Sequence, residues 1–247
     1  MISQIDRIYF MGTCLADVYF PKAGLSAMQL LQREGLEVVY PQNQTCCAQP
    51  AFNAGYRQEA LSVARSLMRC FPKDLPIVIP SASCTEMIRH HWSELFAGQS
   101  DVAQAQAIAS RVYELTEFLS QVLKVKLSDY GQPTQVAIHS SCSCRNGLKG
   151  AKHIENLLGQ LERVEVLEQD RKKECCGFGG TFSLKQADIS GAMVADKTQA
   201  LKDSGAELTI SQDLGCLMNI GGALAKQKSK LKTQHVAEFL WERTNRE

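Results

Sequence analysis

Glu174-Cys175-Cys176-Gly177-Phe178-Gly179-Gly180-Thr181 decides the fold, because a second adjacent pair, Cys46-Cys47, stands in a matching setting. Cys14 precedes one pair with 31 residues between, and Cys142 precedes the other with 32. Cys84 follows the first pair with 36 residues between, and Cys216 follows the second with 39. Cys142 lies 128 residues after Cys14, Cys175 lies 129 after Cys46, and Cys216 lies 132 after Cys84. Three separately placed cysteine elements thus recur at nearly one period, which marks an internal duplication. The chain reads as two halves, 1–127 and 128–247, each with a C…CC…C set. They join through residues 128–134, which contain Gly131 and Pro133.

Working outward, each cysteine element follows a predicted strand. Residues 7–11 are a short apolar run ended by Gly12 and followed at once by Cys14. Residues 24–34 carry Leu25, Met28, Leu30 and Leu31 at helical spacing and stop at Gly35, a natural helix C-cap. Residues 36–40 read as a second strand before the loop bearing Cys46 and Cys47. Residues 56–70 predict a helix and 76–80 a third strand, with Cys84 opening the helix beyond it. The second half repeats the order, with strands at 135–139, 164–167 and 208–211 ahead of Cys142, Cys175 and Cys216, and helices at 146–161, 189–202 and 217–226. Residues 101–125 read as one long amphipathic helix and 235–243 as a closing helix. The expected fold is α/β: two pseudo-symmetric βαβ-type halves with parallel sheets, and the cysteine loops at the carboxyl ends of the strands, where open parallel sheets build their sites.

The chain of 247 residues, 45% apolar and 21% charged, has globular composition and enough length for a core in each half. A net charge of +1 with no basic block gives no reason to expect nucleic acid. The first seven residues lack a basic region followed by a long apolar run, and no apolar stretch reaches about 18 residues, so a cytoplasmic protein without a membrane span is expected. Ten cysteines without an export signal then point to metal binding or redox chemistry rather than structural disulfides.

Four thiolates per half suit either a structural zinc site or an iron–sulfur cluster. Zinc sites usually draw ligands from close knuckles, and only Cys142-Ser143-Cys144 comes near that spacing. A cluster is larger and is more readily ligated by loops of separate elements, with backbone N–H groups facing its sulfides. Gly177, Gly179 and Gly180 would permit that close approach, and would equally form an ordinary turn. Spacing favours the cluster and leaves both open.

The segments Cys46-Cys47-Ala48-Gln49-Pro50, Pro80-Ser81-Ala82-Ser83-Cys84, Cys175-Cys176-Gly177-Phe178-Gly179-Gly180-Thr181-Phe182-Ser183 and Asp213-Leu214-Gly215-Cys216-Leu217-Met218-Asn219-Ile220 resemble the duplicated cysteine-rich CCG domain family. That family includes the CCG-bearing component of heterodisulfide reductase and the iron–sulfur component of glycolate oxidase. The resemblance runs over essentially the whole chain and lies nearest to lactate-utilisation members, whose chains consist of two CCG modules alone. It implies a cytoplasmic iron–sulfur electron-transfer subunit, incomplete as a catalyst by itself, of a three-protein complex that oxidises L-lactate to pyruvate. The implied partners are a ferredoxin-type iron–sulfur protein and a third subunit. The implied cofactors are one or two [4Fe–4S] clusters, held by Cys14, Cys46, Cys47 and Cys84 and by Cys142, Cys175, Cys176 and Cys216. Family members with non-cubane clusters tend to carry a further cysteine where this chain has Met87 and Asn219, so four matched thiols remain per half. Ala48 stands where glycine follows the pair, which implies a backbone conformation open to alanine. Two other readings stay open: a metal-stabilised scaffold that docks redox partners, and a thiol/disulfide redox subunit like heterodisulfide reductase, against which the missing cysteines count.

Among the remaining candidates, Cys144 is open between a spare thiol and an extra ligand, and Cys70 reads as a small buried hydrophobe. His139 reads as a hydrogen-bonded structural histidine, with a hydrogen bond to a cluster sulfur as the alternative. His90-His91-Trp92 reads as helix surface, and Gly221 and Gly222 as places where helices pack closely. Gly177 to Gly180 is not a dinucleotide fingerprint. His153 and His235 carry no signal, and no catalytic residue is assigned.

Overall fold

The computed structural model describes residues 5–246. Residues 1–4, part of the stretch read above for an export signal, and residue 247 lie outside them. Eight strands, β1 (Arg7–Phe10), β2 (Glu37–Val39), β3 (Ile77–Ile79), β4 (Val112–Glu114), β5 (Thr134–Ile138), β6 (Val164–Val166), β7 (Leu208–Ser211) and β8 (Lys232–His235), form two sheets, ordered β2-β1-β3-β4 and β6-β5-β7-β8. Every pairing is parallel. The duplication extends to register: Arg7 pairs with Glu37 and Gln135 with Glu165, while Phe10 pairs with Val78 and Ile138 with Ile210.

The fourth strand of each sheet was not expected from the sequence. Residues 101–125 are not one helix; they divide into the helix Val102–Ala109, β4, a single helical turn Leu115–Glu117 and a π-helical turn Phe118–Val122. Three residues of strand are too few to impose an alternation on a stretch whose apolar spacing also fits a helix. β8, Lys-Thr-Gln-His, is polar because it is a sheet edge and needs no apolar run. Both fourth strands end in the same device. Glu114 caps the following turn, accepting the N–H groups of Thr116 at 2.8 Å and Glu117 at 3.2 Å, and His235 caps the helix Val236–Thr244, accepting Ala237 N–H on Nδ1 at 3.2 Å.

Alternation along the strands sets the cores. Ile8 and Phe10 face one way, with Val78, Val136, Ile138 and Ile210, into a core shared by the two halves. Tyr9, Met11, Ile77 and Ile79 face the other way, onto Leu61, Leu67 and Trp92. In the second half Ala137 faces Val194, Leu201, Ile220 and Leu224. Into the shared core each half lends the helix after its first cysteine: Pro21–Arg33 packs on Val236–Thr244, and Ala151–Leu158 packs on Leu115–Glu117 and Phe118–Val122. The closing elements of each half therefore cover the other.

The junction is tied down. Arg243 binds Asp129 in a two-pronged ion pair (Nε to Oδ1 3.0 Å, Nη2 to Oδ2 2.8 Å) and donates to the Gln132 carbonyl and Thr134 Oγ1. Gly221 brings a helix close to a strand rather than to another helix, since a Cβ there would lie 2.9 Å from Thr233 Oγ1, and Gly222 has open space around it. Among the described residues no helix is long and apolar enough to cross a membrane.

Candidate functional site

Because the sheets are parallel, the cysteine elements leave β1, β2 and β3, and likewise β5, β6 and β7, at one edge. The thiols meet there as two hydrogen-bonded series, Cys14–Cys46–Cys47–Cys84 and Cys142–Cys175–Cys176–Cys216. All ten cysteines are free.

The local backbone explains why the sulfurs converge. The residue after each pair is left-handed, Ala48 at φ 77° and Gly177 at φ 81°. This turn aims backbone N–H groups at both sulfurs of each pair: Ala48 and Gln49 at Cys46 and Cys47, Gly177 and Phe178 at Cys175 and Cys176, with Gly177 N 3.4 Å from Cys175 Sγ. Ala48 thus does not enjoy a conformation open to alanine; it occupies one that costs a residue with a Cβ roughly 1–2 kcal/mol. Gly177 has no such latitude, since a Cβ there would sit 2.9 Å from the Ser190 carbonyl oxygen. The carbonyl of each pair's second cysteine is also held, by Trp92 Nε1 on Cys47 (3.2 Å) and Asn219 Nδ2 on Cys176 (2.8 Å). Trp92 is therefore no helix surface; it is fully buried. Thr13 accepts Ala16 N–H and Ser141 accepts Cys144 N–H, so the first-cysteine turns carry matching caps.

The two sets differ in their surroundings. Hydrogen bonds from Cys142 and then Cys176 hold Cys175 far below the usual thiol range, while those two donors are pushed far up. In the first set Cys14 and Cys47 are also pushed up, and Cys46 lies at about 11, the bond from Cys14 being outweighed by its own bond to Cys47 and by burial. Cations back the second set. Lys197, fully buried on the helix Ala187–Asp203 and pushed down by that burial, donates to the Arg171 carbonyl and feels the charge of Cys175 and Cys176. Arg145 holds the carbonyls of Ser140 and Lys173.

His139, at the end of β5, is 1% exposed, and neither ring nitrogen has a hydrogen-bond partner among the described residues. It is not the hydrogen-bonded structural histidine expected. A ring nitrogen lies within 4.8 Å of the Cys176 and Cys216 sulfurs. Burial, then the charges of Lys197 and Arg145, push its pKa down to about 3 and keep the ring neutral.

The second set opens into a cavity of about 240 Å³ whose far wall comes from the first half, through Gln49, Ser83, Glu86 and His91. Phe178, also in its lining, lies on Gly215, where a Cβ would come within 2.5 Å of the ring. Cys144 is buried, accepts Gln212 Nε2 at 2.7 Å, and burial lifts it to about 12. Cys70 is half-buried rather than buried and donates to the Asn43 carbonyl at 3.2 Å. His153 meets Ser120 Oγ at 3.0 Å.

Four thiols with backbone donors aimed at the paired sulfurs, and in one case a buried cation, suit an anionic metal–sulfur centre better than isolated thiols, because such donors stabilise negative sulfur. Comparison with known proteins agrees with the duplication. The CCG cysteine-rich domain matches twice, at residues 8–89 and 136–221. Lactate utilization protein A 2 of Bacillus cereus (strain AH820) is 39% identical over 234 residues, covering 92% of this chain and 95% of that protein. Lactate utilization protein A of Halalkalibacterium halodurans is 39% identical over 238 residues, covering 95% and 97%. Among solved structures, a hypothetical protein from Helicobacter pylori aligns with a TM-score of 0.57 at 11% identity, over 98% of this chain and 49% of that one, a likeness of fold alone.

Proposed function

The chain belongs to the CCG cysteine-rich domain family, with two copies of the domain, and from that premise we propose that it is the iron–sulfur electron-transfer subunit of a cytoplasmic system that oxidises L-lactate to pyruvate. The observation that carries this reading is the gathering of two sets of four thiols, each pair supplied with backbone N–H donors. The lactate part is supported by the names of relatives matched over nearly their full length.

In this reading Cys14, Cys46, Cys47 and Cys84 hold one [4Fe–4S] centre and Cys142, Cys175, Cys176 and Cys216 the other. Such centres, when bound, supply one-electron transfer at potentials set by charge, hydrogen bonding and exposure. The chain's own residues do the rest. Ala48, Gln49, Gly177 and Phe178 present N–H groups to the sulfurs; Trp92 and Asn219 fix the loops that carry them; Lys197 offsets the charge of the second set. Cys14 and Cys142, both exposed, put each centre within reach of partners, for which a ferredoxin-type iron–sulfur protein and a third subunit are proposed.

Iron and acid-labile sulfide per chain, on protein purified without oxygen, test the reading. About eight irons are expected, roughly what two four-iron centres require, with a paramagnetic resonance signal after dithionite reduction. Cys47→Ser and Cys176→Ser should each remove about half the iron. The trio His139, Cys176 and Cys216 is also a donor set that zinc accepts. Zinc without labile sulfide would overturn electron transfer in favour of a metal-stabilised scaffold.

A further inference from the structure

His139 and Met11 occupy equivalent places 128 residues apart, each following the first strand of its half. Met11 N donates to the Val78 carbonyl at 3.0 Å and His139 N to the Ile210 carbonyl at 2.9 Å, so the backbone at the two positions is the same. Both side chains are buried, Met11 at 0% and His139 at 1% exposure. Thioether and imidazole nevertheless differ in one respect that matters beside sulfur: only the ring carries an N–H.

That N–H has no partner among the described residues, and neither does the other ring nitrogen. A buried donor left unpaired carries its full desolvation penalty, so its persistence calls for an acceptor. The sulfurs of Cys176 and Cys216 stand nearby, all three ligand atoms lying within 4.8 Å of one another. In either tautomer the imidazole has a ring N–H to give.

We infer that His139 is a positioning residue of the second centre, its ring N–H donating to the sulfurs around Cys176 and Cys216, and that Met11 leaves the first centre without an equivalent donor. The inference rests on the reading of the second cysteine set as an iron–sulfur centre. A hydrogen bond to sulfur withdraws negative charge and favours the reduced form, so the donor raises the reduction potential of the centre it serves. The histidine would thus make two duplicated centres unequal and give electron flow through the chain a direction.

The test uses full-length protein prepared without oxygen, in a Cys47→Ser background so that only the second centre reports. Iron and labile sulfide are measured beside a potentiometric titration followed by electron paramagnetic resonance. His139→Leu should keep its iron, since the four thiols are intact, and shift the midpoint potential negative. His139→Gln, whose amide retains an N–H, should recover part of the shift. In protein with ¹⁵N-labelled histidine and no substitution at 139, pulsed resonance should show a weak nitrogen coupling to the reduced centre, a readout that survives even if the leucine variant fails to fold. An unmoved potential in His139→Leu, the absence of nitrogen coupling, or a strong coupling typical of direct ligation would overturn the inference while leaving the iron–sulfur reading standing. Absence of iron from the protein with both histidine and Cys176 in place would overturn the two together.

Discussion

The Asp213 carboxylate accepts the Ser83 backbone N–H at 2.8 Å across 130 residues of chain, while its other oxygen accepts Cys216 N–H at 3.3 Å. One buried side chain therefore serves the starts of two helices, Ala82–Glu86 and Leu214–Lys226, that present the third cysteine element of each half. The equivalent residue of the first half, Ser81, turns to its neighbour Ser83 instead (Oγ to Oγ 3.3 Å), so the crossing is made once. Removing a cap of this kind costs about 1 kcal/mol per helix. Asp213→Ala should lower the unfolding free energy by roughly 2 kcal/mol, and Asp213→Asn, which keeps one acceptor, by less. Denaturant titrations in which Asp213→Ala unfolds at the native midpoint would show that the shared cap contributes nothing.

The Asp129–Arg243 pair is almost fully buried, with side-chain exposures of 1% and 6%. Burial works to raise the Asp129 carboxyl, but Arg243 and the backbone N–H groups of Arg163 and Gly131 together hold it below the usual range. A carboxylate with a depressed folded pKa contributes stability above its unfolded pKa, near 4, and that stability is lost as pH falls through the folded value. Arg243→Ala leaves the buried carboxylate without its counter-charge, held only by the backbone N–H groups of Gly131 and Arg163, and should cost about 3–5 kcal/mol near pH 7. Since protonation relieves the stranded charge, this deficit should shrink below about pH 4; a deficit independent of pH would point to lost packing alone.

Glu114 makes the opposite case. Its burial raises the carboxyl to about 7, against the hydrogen bonds from Thr116 and Glu117 that favour the charged form. The folded state binds this proton more tightly than the unfolded chain. Its contribution is complete below about pH 4.5 and is lost as pH rises through 7, a change on the order of 2–3 kcal/mol. Glu114→Gln keeps an oxygen for the two N–H donors and removes the titration. Stability of the native chain measured at pH 5 and pH 8 should fall by that amount relative to the glutamine variant, and parallel pH profiles would refute the assignment.

Gly177→Ala places a Cβ at φ 81° and 2.9 Å from the Ser190 carbonyl. Left-handed strain and collision together should cost more than about 2 kcal/mol. Chemical denaturation of the metal-free protein measures this without interference from the centre. If the variant unfolds at the native midpoint, the Cys175-Cys176 loop does not need the turn seen here.

Much of this architecture was legible in the sequence because it is written in local properties. Cysteine spacing revealed the duplication, and short apolar runs placed β1, β2, β3, β5, β6 and β7 ahead of the cysteines. With all connections parallel, the eight thiols had one edge at which to gather. Other features resisted such reading. β4 is three residues long and β8 is polar, so neither leaves a periodic trace, and both exist because a neighbouring strand offers hydrogen bonds. Trp92 looked like part of a polar surface until its indole N–H met the Cys47 carbonyl. Ala48 concealed a left-handed turn that only glycine would have announced.

The repeat and the six strands that precede the cysteine elements could be read from the chain alone, since spacing and periodicity are carried by residues close along it. Only the tertiary structure decided that Cys144 turns toward Gln212, that His139 stands beside Cys176 and Cys216 without a partner among the described residues, and that Asp213 caps helices of both halves. Each of those outcomes depends on groups far apart in sequence being packed together, and burial decides which polar atoms are left to seek a partner.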